Sequence, residues 1–375
     1  MNLRVLVVDD AVLFRRVVSD ALASLPGVEV VGSAANGRLA LQKVKELRPD
    51  VMTLDIEMPE MDGLAVLDEL RKNGDSTEVI VVSASSKRGG ELTVRALGKG
   101  AFDFITKPES KSAEQGREML TQGLAPLIRA ICSRLEIRSI LRSGAAPTPQ
   151  VAKVSRVPVA NPQHSSLDQI AGRMQHLSAL TKPEMVLIGV STGGPAALSS
   201  MLPKIPADLG VPIFIVQHMP AIFTRALADD LDTKCAVHVR EAVHGDLPQP
   251  NVAYIAPGGR QMRLGVAANG KPVIQITDDP PENNCRPAVD YLFRSAANCF
   301  PGKSLAVILT GMGSDGTIGL RLLKQAGCFV IAQDEASSVI YGMPRAAAEA
   351  GVTDVVLPLG EIAARITGTV TGRRM

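Results

Sequence analysis

Ten short runs of aliphatic residues, five within residues 3–107 and five within residues 185–332, alternate with longer amphipathic stretches along the chain. Runs of this length suit strands buried on both faces, and the helix-length segments between them supply the crossovers that parallel pairing requires. The first set is Leu3–Val8, Val28–Val31, Val51–Leu54, Val79–Val82 and Phe102–Thr106; the second is Met185–Val190, Ile213–Val216, Ala253–Ala256, Leu305–Leu309 and Phe329–Ala332. The pattern predicts the α/β class, as two doubly wound parallel-sheet domains. At 375 residues the chain also exceeds what one ordinary core holds.

Between the two sets, Met119, Leu120, Leu124, Leu127, Ile128, Ile131 and Leu135 recur at helical spacing from Glu114 to about Arg142, interrupted by Pro126. Residues 143–180 are rich in Pro, Ala, Ser and Gln without periodicity and read as a flexible linker. The expected division is a first domain at 1–125, a closing helix and linker at 126–180, and a second domain at 181–375.

Composition narrows the function classes. Residues 1–110 carry 14 basic and 17 acidic side chains, residues 111–180 carry nine and four, and residues 181–375 carry 17 of each. The second domain offers no basic face, Trp is absent and Tyr occurs three times, so nucleic acid is not the expected partner. No apolar stretch approaches the roughly 18 residues of a membrane helix, and Val5–Val8 closes on Asp9-Asp10, unlike a signal peptide. The five cysteines are odd in number and form no C-x-x-C pair, so neither a disulfide framework nor zinc is signalled. No membrane insertion and a cytoplasmic location are expected.

Asp9, Asp10 and Asp55 each stand at the carboxyl end of an aliphatic run, where open α/β sheets place their ligand crevices. Converging carboxylates repel one another, and a hard cation such as Mg²⁺ relieves that repulsion. Ser83 ends the fourth run and Lys107 follows the fifth, adding a hydroxyl and a positive charge for phosphoryl oxygens. The Lys107-Pro108 bond, if cis, would aim the lysine inward. Singly, Asp-Asp is as readily a helix cap and Lys-Pro a loop, but five such residues on four strand ends favour a site.

These segments, Val7-Val8-Asp9-Asp10, Leu54-Asp55 through Met61-Asp62-Gly63, Val82-Ser83-Ala84 and Thr106-Lys107-Pro108, resemble the receiver domain of response regulators. The resemblance implies a flavodoxin-like fold, Asp55 as phosphoacceptor, Asp9 and Asp10 with Asp55 as the metal-holding acids, and Ser83 and Lys107 as the phosphate-sensing switch.

In the second set, Gly189-Val190-Ser191-Thr192-Gly193-Gly194-Pro195 puts a serine on a tight strand-to-helix turn. His218 ends the next run, and Asp315 follows another in Thr310-Gly311-Met312-Gly313-Ser314-Asp315-Gly316. A nucleophile, a base and an orienting acid at one sheet edge suit acyl transfer, although a lone histidine is more often structural and an Asp in a glycine turn often serves the turn. The competing reading takes Gly311, Gly313 and Gly316, with Asp334 further on, as a dinucleotide fingerprint. It leaves Ser191, His218 and Asp315 without a common purpose.

Residues 181–375 resemble the catalytic domain of the chemotaxis protein-glutamate methylesterases, the CheB family, through Ser191–Pro195, Gln217-His218-Met219-Pro220, Ala256-Pro257-Gly258-Gly259, Arg286-Pro287-Ala288-Val289-Asp290, Leu309–Gly316, and Ala332–Glu335 with Gly342-Met343-Pro344. The resemblance implies a Rossmann-like domain with Ser191 as nucleophile, His218 as base, Asp315 as its orienting acid, and Thr192 and the Met312 amide as oxyanion donors. It implies a methylesterase and glutaminase acting on methyl-accepting chemotaxis receptors, with Mg²⁺ at the receiver, no cofactor at the esterase site, and a chemotaxis histidine kinase as phosphodonor. Gln261 and Cys285 depart from the family, which commonly carries His at both positions. Neither is a triad position, so the departures are expected to bear on the cleft rim.

Overall fold

The computed structural model describes residues 2–109, 112–142 and 182–372. The stretch read as a linker, 143–180, lies outside the described residues. The first set of runs forms β1 (Leu3–Val8), β2 (Val28–Ala34), β3 (Val51–Asp55), β4 (Glu78–Ser83) and β5 (Asp103–Thr106). All pair in parallel in the order β2-β1-β3-β4-β5. This is the flavodoxin-like doubly wound order, and its crevice opens where the order reverses, between β1 and β3. Leu6 and Val8 enter one apolar layer while Leu3, Val5 and Val7 enter the other. Burial on both faces explains why the run reads as continuous rather than alternating.

Helices α1 (Val12–Ala23), α2 (Gly37–Leu47), α3 (Gly63–Lys72) and α4 (Lys87–Gly98) flank this sheet. Asn36, Asp62 and Ser86 cap the last three, each side chain accepting a hydrogen bond from the amide three residues on. Helix α5 (Ala113–Arg142) runs unbroken through Pro126, where the sequence suggested an interruption. A proline inside a helix costs about 3 kcal/mol. Leu120, Leu124, Leu127, Ile128 and Ile131 bury on both sides of it, at roughly 1.5–3 kcal/mol each, and packing wins.

The second sheet holds β6 (Met185–Val190), β7 (Ile213–Gln217), β8 (His238–Glu241), β9 (Val252–Ile255), β12 (Ser304–Ile308), β13 (Phe329–Gln333) and β14 (Val355–Leu357). Its order is β14-β13-β12-β6-β7-β9-β8, all parallel, so the reversal falls between β12 and β6. A separate hairpin pairs β10 (Gln261–Val266) with β11 (Pro272–Thr277). The helices are α6 (Gly194–Met201), α7 (Ala221–Asp232), α8 (Val289–Cys299), α9 (Thr317–Gln325), α10 (Met343–Glu349) and α11 (Leu359–Thr371). The sequence reading missed β8, β14 and the hairpin. Of the first two, β8 is a four-residue edge strand with a single aliphatic side chain and β14 is an aliphatic run of only three residues, whereas Asn269-Gly270 is a hairpin signal. Among the described residues, no helix is long and apolar enough to cross a membrane.

The α4–β5–α5 side of the first domain packs against the carboxyl end of the second domain's sheet. Helix α4 meets α7 closely at Gly90, where a Cβ would lie 3.0 Å from Ile222 Cγ2. The Phe104 and Phe223 rings approach to 4.4 Å between centroids. Val94 enters an apolar layer of the second domain, while Met312, Val339 and Ile340 rest on the first domain's α1/α5 side.

Candidate active site

Two clusters occupy the two reversal points. In the first domain, Asp9 follows β1 and Asp55 ends β3, both nearly fully buried, with Asp10 exposed beside them. The three can each aim a carboxylate oxygen within 4.8 Å of the others. Lys107 Nζ lies 2.7 Å from Asp55 Oδ2 and 2.8 Å from Asp9 Oδ2, with its ammonium 4.9 Å from the centre of the Phe14 ring. Burial raises the Asp55 pKa, only partly offset by Lys107. Lys107 itself is raised: burial works against its charge, but Asp55 and Asp9 outweigh it.

The lysine reaches inward without a cis bond, since the only cis peptide among the described residues is Arg286-Pro287. Its direction comes from β5, where Thr106 pairs with Ser83 and the Lys107 amide donates to the Ser83 carbonyl. The Ser83 hydroxyl turns away from the acids, donating to the Gly89 carbonyl at 3.2 Å. An all-carboxylate donor set suits Mg²⁺. The buried Asp9 Oδ2 fits it further, because it accepts no well-directed hydrogen bond despite the nearby lysine.

In the second domain the structure brings Ser191, His218 and Asp315 together. Ser191 leaves β6 on a turn in which Gly193 has φ +77°, a left-handed conformation that disfavours any side chain. Gly311 is needed for a different reason: a Cβ there would sit 2.8 Å from the Ser191 Cβ. Ser191 Oγ is 3.0 Å from His218 Nδ1, and His218 Nε2 is 2.8 Å from Asp315 Oδ2. Asp315 sits at the start of α8, whose first amides lack helical partners. It accepts from the Val289 and Asp290 amides at 2.7 and 3.1 Å, from Gly316 N at 3.0 Å, and from Asn283 Nδ2 at 2.9 Å. Burial would raise the Asp315 pKa, but His218 and these donors hold it below the usual carboxylate value. Burial would lower the His218 pKa, yet Asp315 and Cys285 push it up to about 9.

Thr192 and Met312, expected as oxyanion donors, both face the first domain. The Thr192 hydroxyl donates to the Asp103 carboxylate, and Met312 packs on the apolar layer of α1 and α5. Asp103 is partly exposed by area, but its carboxyl is enclosed in the interface, and burial lifts its pKa to about 6 against hydrogen bonds from the Phe104 amide and Thr192. His218 opens on a cavity of about 310 Å³ walled largely by β5 and α5, including Asp103, Phe104 and Leu120.

Sequence reasoning missed Asn283, Asp290 and Asp103. Asn283 bridges Asp315 to the buried Asp290, whose other oxygen accepts from Gly319 N. Asp290 stood in a recognised segment, but no spacing rule linked it to Asp315. Cys285, expected at the rim, instead has its Sγ 3.5 Å from His218 Nδ1. Gln261 is fully buried and braces the same loop through Pro280 O and Ala288 N. The dinucleotide alternative loses its acid, because Asp334 binds the Ser337 amide and hydroxyl. Of the other described histidines, His244 binds the Ile276 backbone and His238 is exposed, so neither competes with His218.

A flavodoxin-like acid-cleft domain packed on an α/β domain with a Ser–His–Asp cluster defines a response regulator whose output domain is a hydrolase. The response regulator receiver domain matches residues 5–116 and CheB methylesterase matches residues 186–366. The chain belongs to the CheB methylesterase family. A protein-glutamate methylesterase/protein-glutamine glutaminase of Desulfotalea psychrophila is 46% identical over 98% of this chain and 99% of its own length. One from Vibrio cholerae is 39% identical over 98% of each chain. The solved catalytic domain of Thermotoga maritima CheB methylesterase is 42% identical over 50% of this chain and 98% of that one, with a TM-score of 0.48.

Proposed function

We propose that this chain demethylates glutamyl methyl esters, and deamidates glutamines, on methyl-accepting chemotaxis receptors under control of phosphorylation at Asp55 by a chemotaxis histidine kinase. The hydrogen-bonded line Ser191–His218–Asp315 carries the reading. The Ser191 hydroxyl donates to His218 Nδ1 while Nε2–H donates to Asp315, which fixes the tautomer in which Nδ1 can act as base. Ser191 Oγ attacks the ester carbonyl, His218 takes its proton and returns it to the departing methanol, and water then releases the glutamate from the acyl-enzyme by the same base. The Thr192 hydroxyl and the Met312 amide are the oxyanion donors in this reading.

Asp9, Asp10 and Asp55 would hold Mg²⁺, which supplies charge neutralisation for an incoming phosphoryl group. Asp55 is the phosphoacceptor, and Lys107 with Ser83 sense the phosphate. In the domain division that fits this reading, the receiver occupies 1–125, a helix and linker 126–180, and the hydrolase 181–375. The working compartment is the cytoplasm, where kinase and receptor tails meet.

The receiver restrains the hydrolase in this reading. Asp103 engages the Thr192 hydroxyl and the β5/α5 face walls the His218 cleft. Asp103→Ala should therefore raise methanol release by the unphosphorylated full chain several-fold, with little change once a phosphodonor is present. An unchanged unphosphorylated rate would remove Asp103 from the restraint.

The pH dependence has a definite sign. Nδ1 serves as base only when unprotonated, and the imidazolium is stabilised up to about 9. Activity should therefore fall as pH drops below that value. A pH–rate profile with its acidic limb at or below the ordinary histidine value would contradict the ion-paired imidazole.

A further inference from the structure

One ring nitrogen of His218 faces two nucleophiles. Nδ1 lies 3.0 Å from Ser191 Oγ and 3.5 Å from Cys285 Sγ. The loop that presents the thiol is firmly held. Asn283 and Asn284 sit at φ 52° and 60°, Glu282 and Cys285 exchange backbone hydrogen bonds of 3.1 and 2.7 Å, and Asn283 ties the loop to Asp315. Cys285 is partly exposed, is not in a disulfide, and has no part in ester hydrolysis as proposed above. A shared metal ion is a poorer use of these groups. Their ligand atoms come within 4.8 Å of one another, but both Asp315 oxygens are already engaged by the Val289, Asp290 and Gly316 amides and by Asn283.

We propose that Cys285 is an oxidative switch on the hydrolase, converted by peroxides to a sulfenic acid that turns the site off. His218 Nδ1 takes the thiol proton, and the thiolate sulfur attacks one peroxide oxygen. The S–O bond forms as the O–O bond breaks, sulfur gives up two electrons, and the departing hydroxide takes the imidazolium proton and leaves as water. The new S–OH group lies beside Nδ1 and donates to it, occupying the lone pair that Ser191 needs. A dithiol reverses the change, yielding the free thiol, the oxidised dithiol and water.

The inhibition rests on the Ser191–His218 reading, whereas the oxidation does not, so the experiment has two readouts. The full-length chain, with Mg²⁺ and a small phosphodonor, is titrated with hydrogen peroxide. Dimedone adducts are mapped by peptide mass, and methanol release is measured before and after dithiothreitol. The expected result is an adduct at Cys285 ahead of the other four cysteines, a loss of at least about tenfold in release, and recovery on reduction. His218→Ala should slow the labelling, and Cys285→Ser should keep its own untreated rate after peroxide. An absent or unselective adduct would overturn the oxidation. Undiminished release from labelled protein, or equal peroxide sensitivity in Cys285→Ser, would overturn the switch. A chain that releases no methanol before treatment would overturn the functional reading and the inhibition with it, while the adduct result would still decide the oxidation.

Discussion

Replacing Ser191 with Ala should cut methanol release from methylated receptor by about 10⁴–10⁶-fold, because among the described residues no other hydroxyl is hydrogen-bonded to the His218 base. His218→Gln should fall in the same range. Asp315→Asn should lose roughly 10⁴-fold, since an amide in the α8 amide cradle can present its own N–H to Nε2 and reverse the tautomer. The decisive feature is non-additivity. Residues acting as one unit lose their joint effect once, so Ser191→Ala/His218→Gln should be within about tenfold of Ser191→Ala alone. Multiplying losses in the double variant would mean the two side chains act independently, and near-normal turnover of His218→Gln would send the search for the base elsewhere.

Asp55→Asn should reduce phosphate incorporation from a small phosphodonor to background. The amide keeps the shape and the carbonyl-oxygen contact but cannot attack phosphorus. Chelation of divalent cations should do the same to the unsubstituted chain, because the carboxylates at Asp9 and Asp55 would then meet the phosphoryl group with Lys107 alone, among the described side chains, ion-paired to them. The substitution should not unfold the protein, since burial raises the Asp55 pKa and an uncharged group there removes a desolvation cost. Magnesium-dependent incorporation into Asp55→Asn would move the phosphoacceptor to another residue.

Much of this arrangement was legible in the sequence because parallel strands buried on both faces leave continuous aliphatic runs. Their ends therefore locate the two side-chain clusters. Asp9, Asp55, Ser191, His218 and Asp315 were all found as the residues that follow a run. What stayed hidden depends on contacts made between elements. Asn283 and Cys285 lie in an irregular loop whose left-handed asparagines leave no periodic trace, so their approach to Asp315 and His218 exists only in three dimensions. Asp103 begins β5 like any polar strand end, and its significance comes from Thr192 in the other domain. Pro126 misled for the opposite reason: a strong local signal was overruled by the apolar face on either side of it. The edge strands β8 and β14 were missed because the first carries one aliphatic residue and the second is only three residues long.

The most direct test of phosphorylation-gated serine chemistry is the rate at which a fluorophosphonate reagent labels Ser191 in the full-length chain, with and without Mg²⁺ and a phosphodonor. The account predicts a single adduct on Ser191, absent in Ser191→Ala, that forms faster after phosphorylation and shows no such acceleration in Asp55→Asn. Equal labelling rates in both states, or no adduct on Ser191 in either, would contradict it.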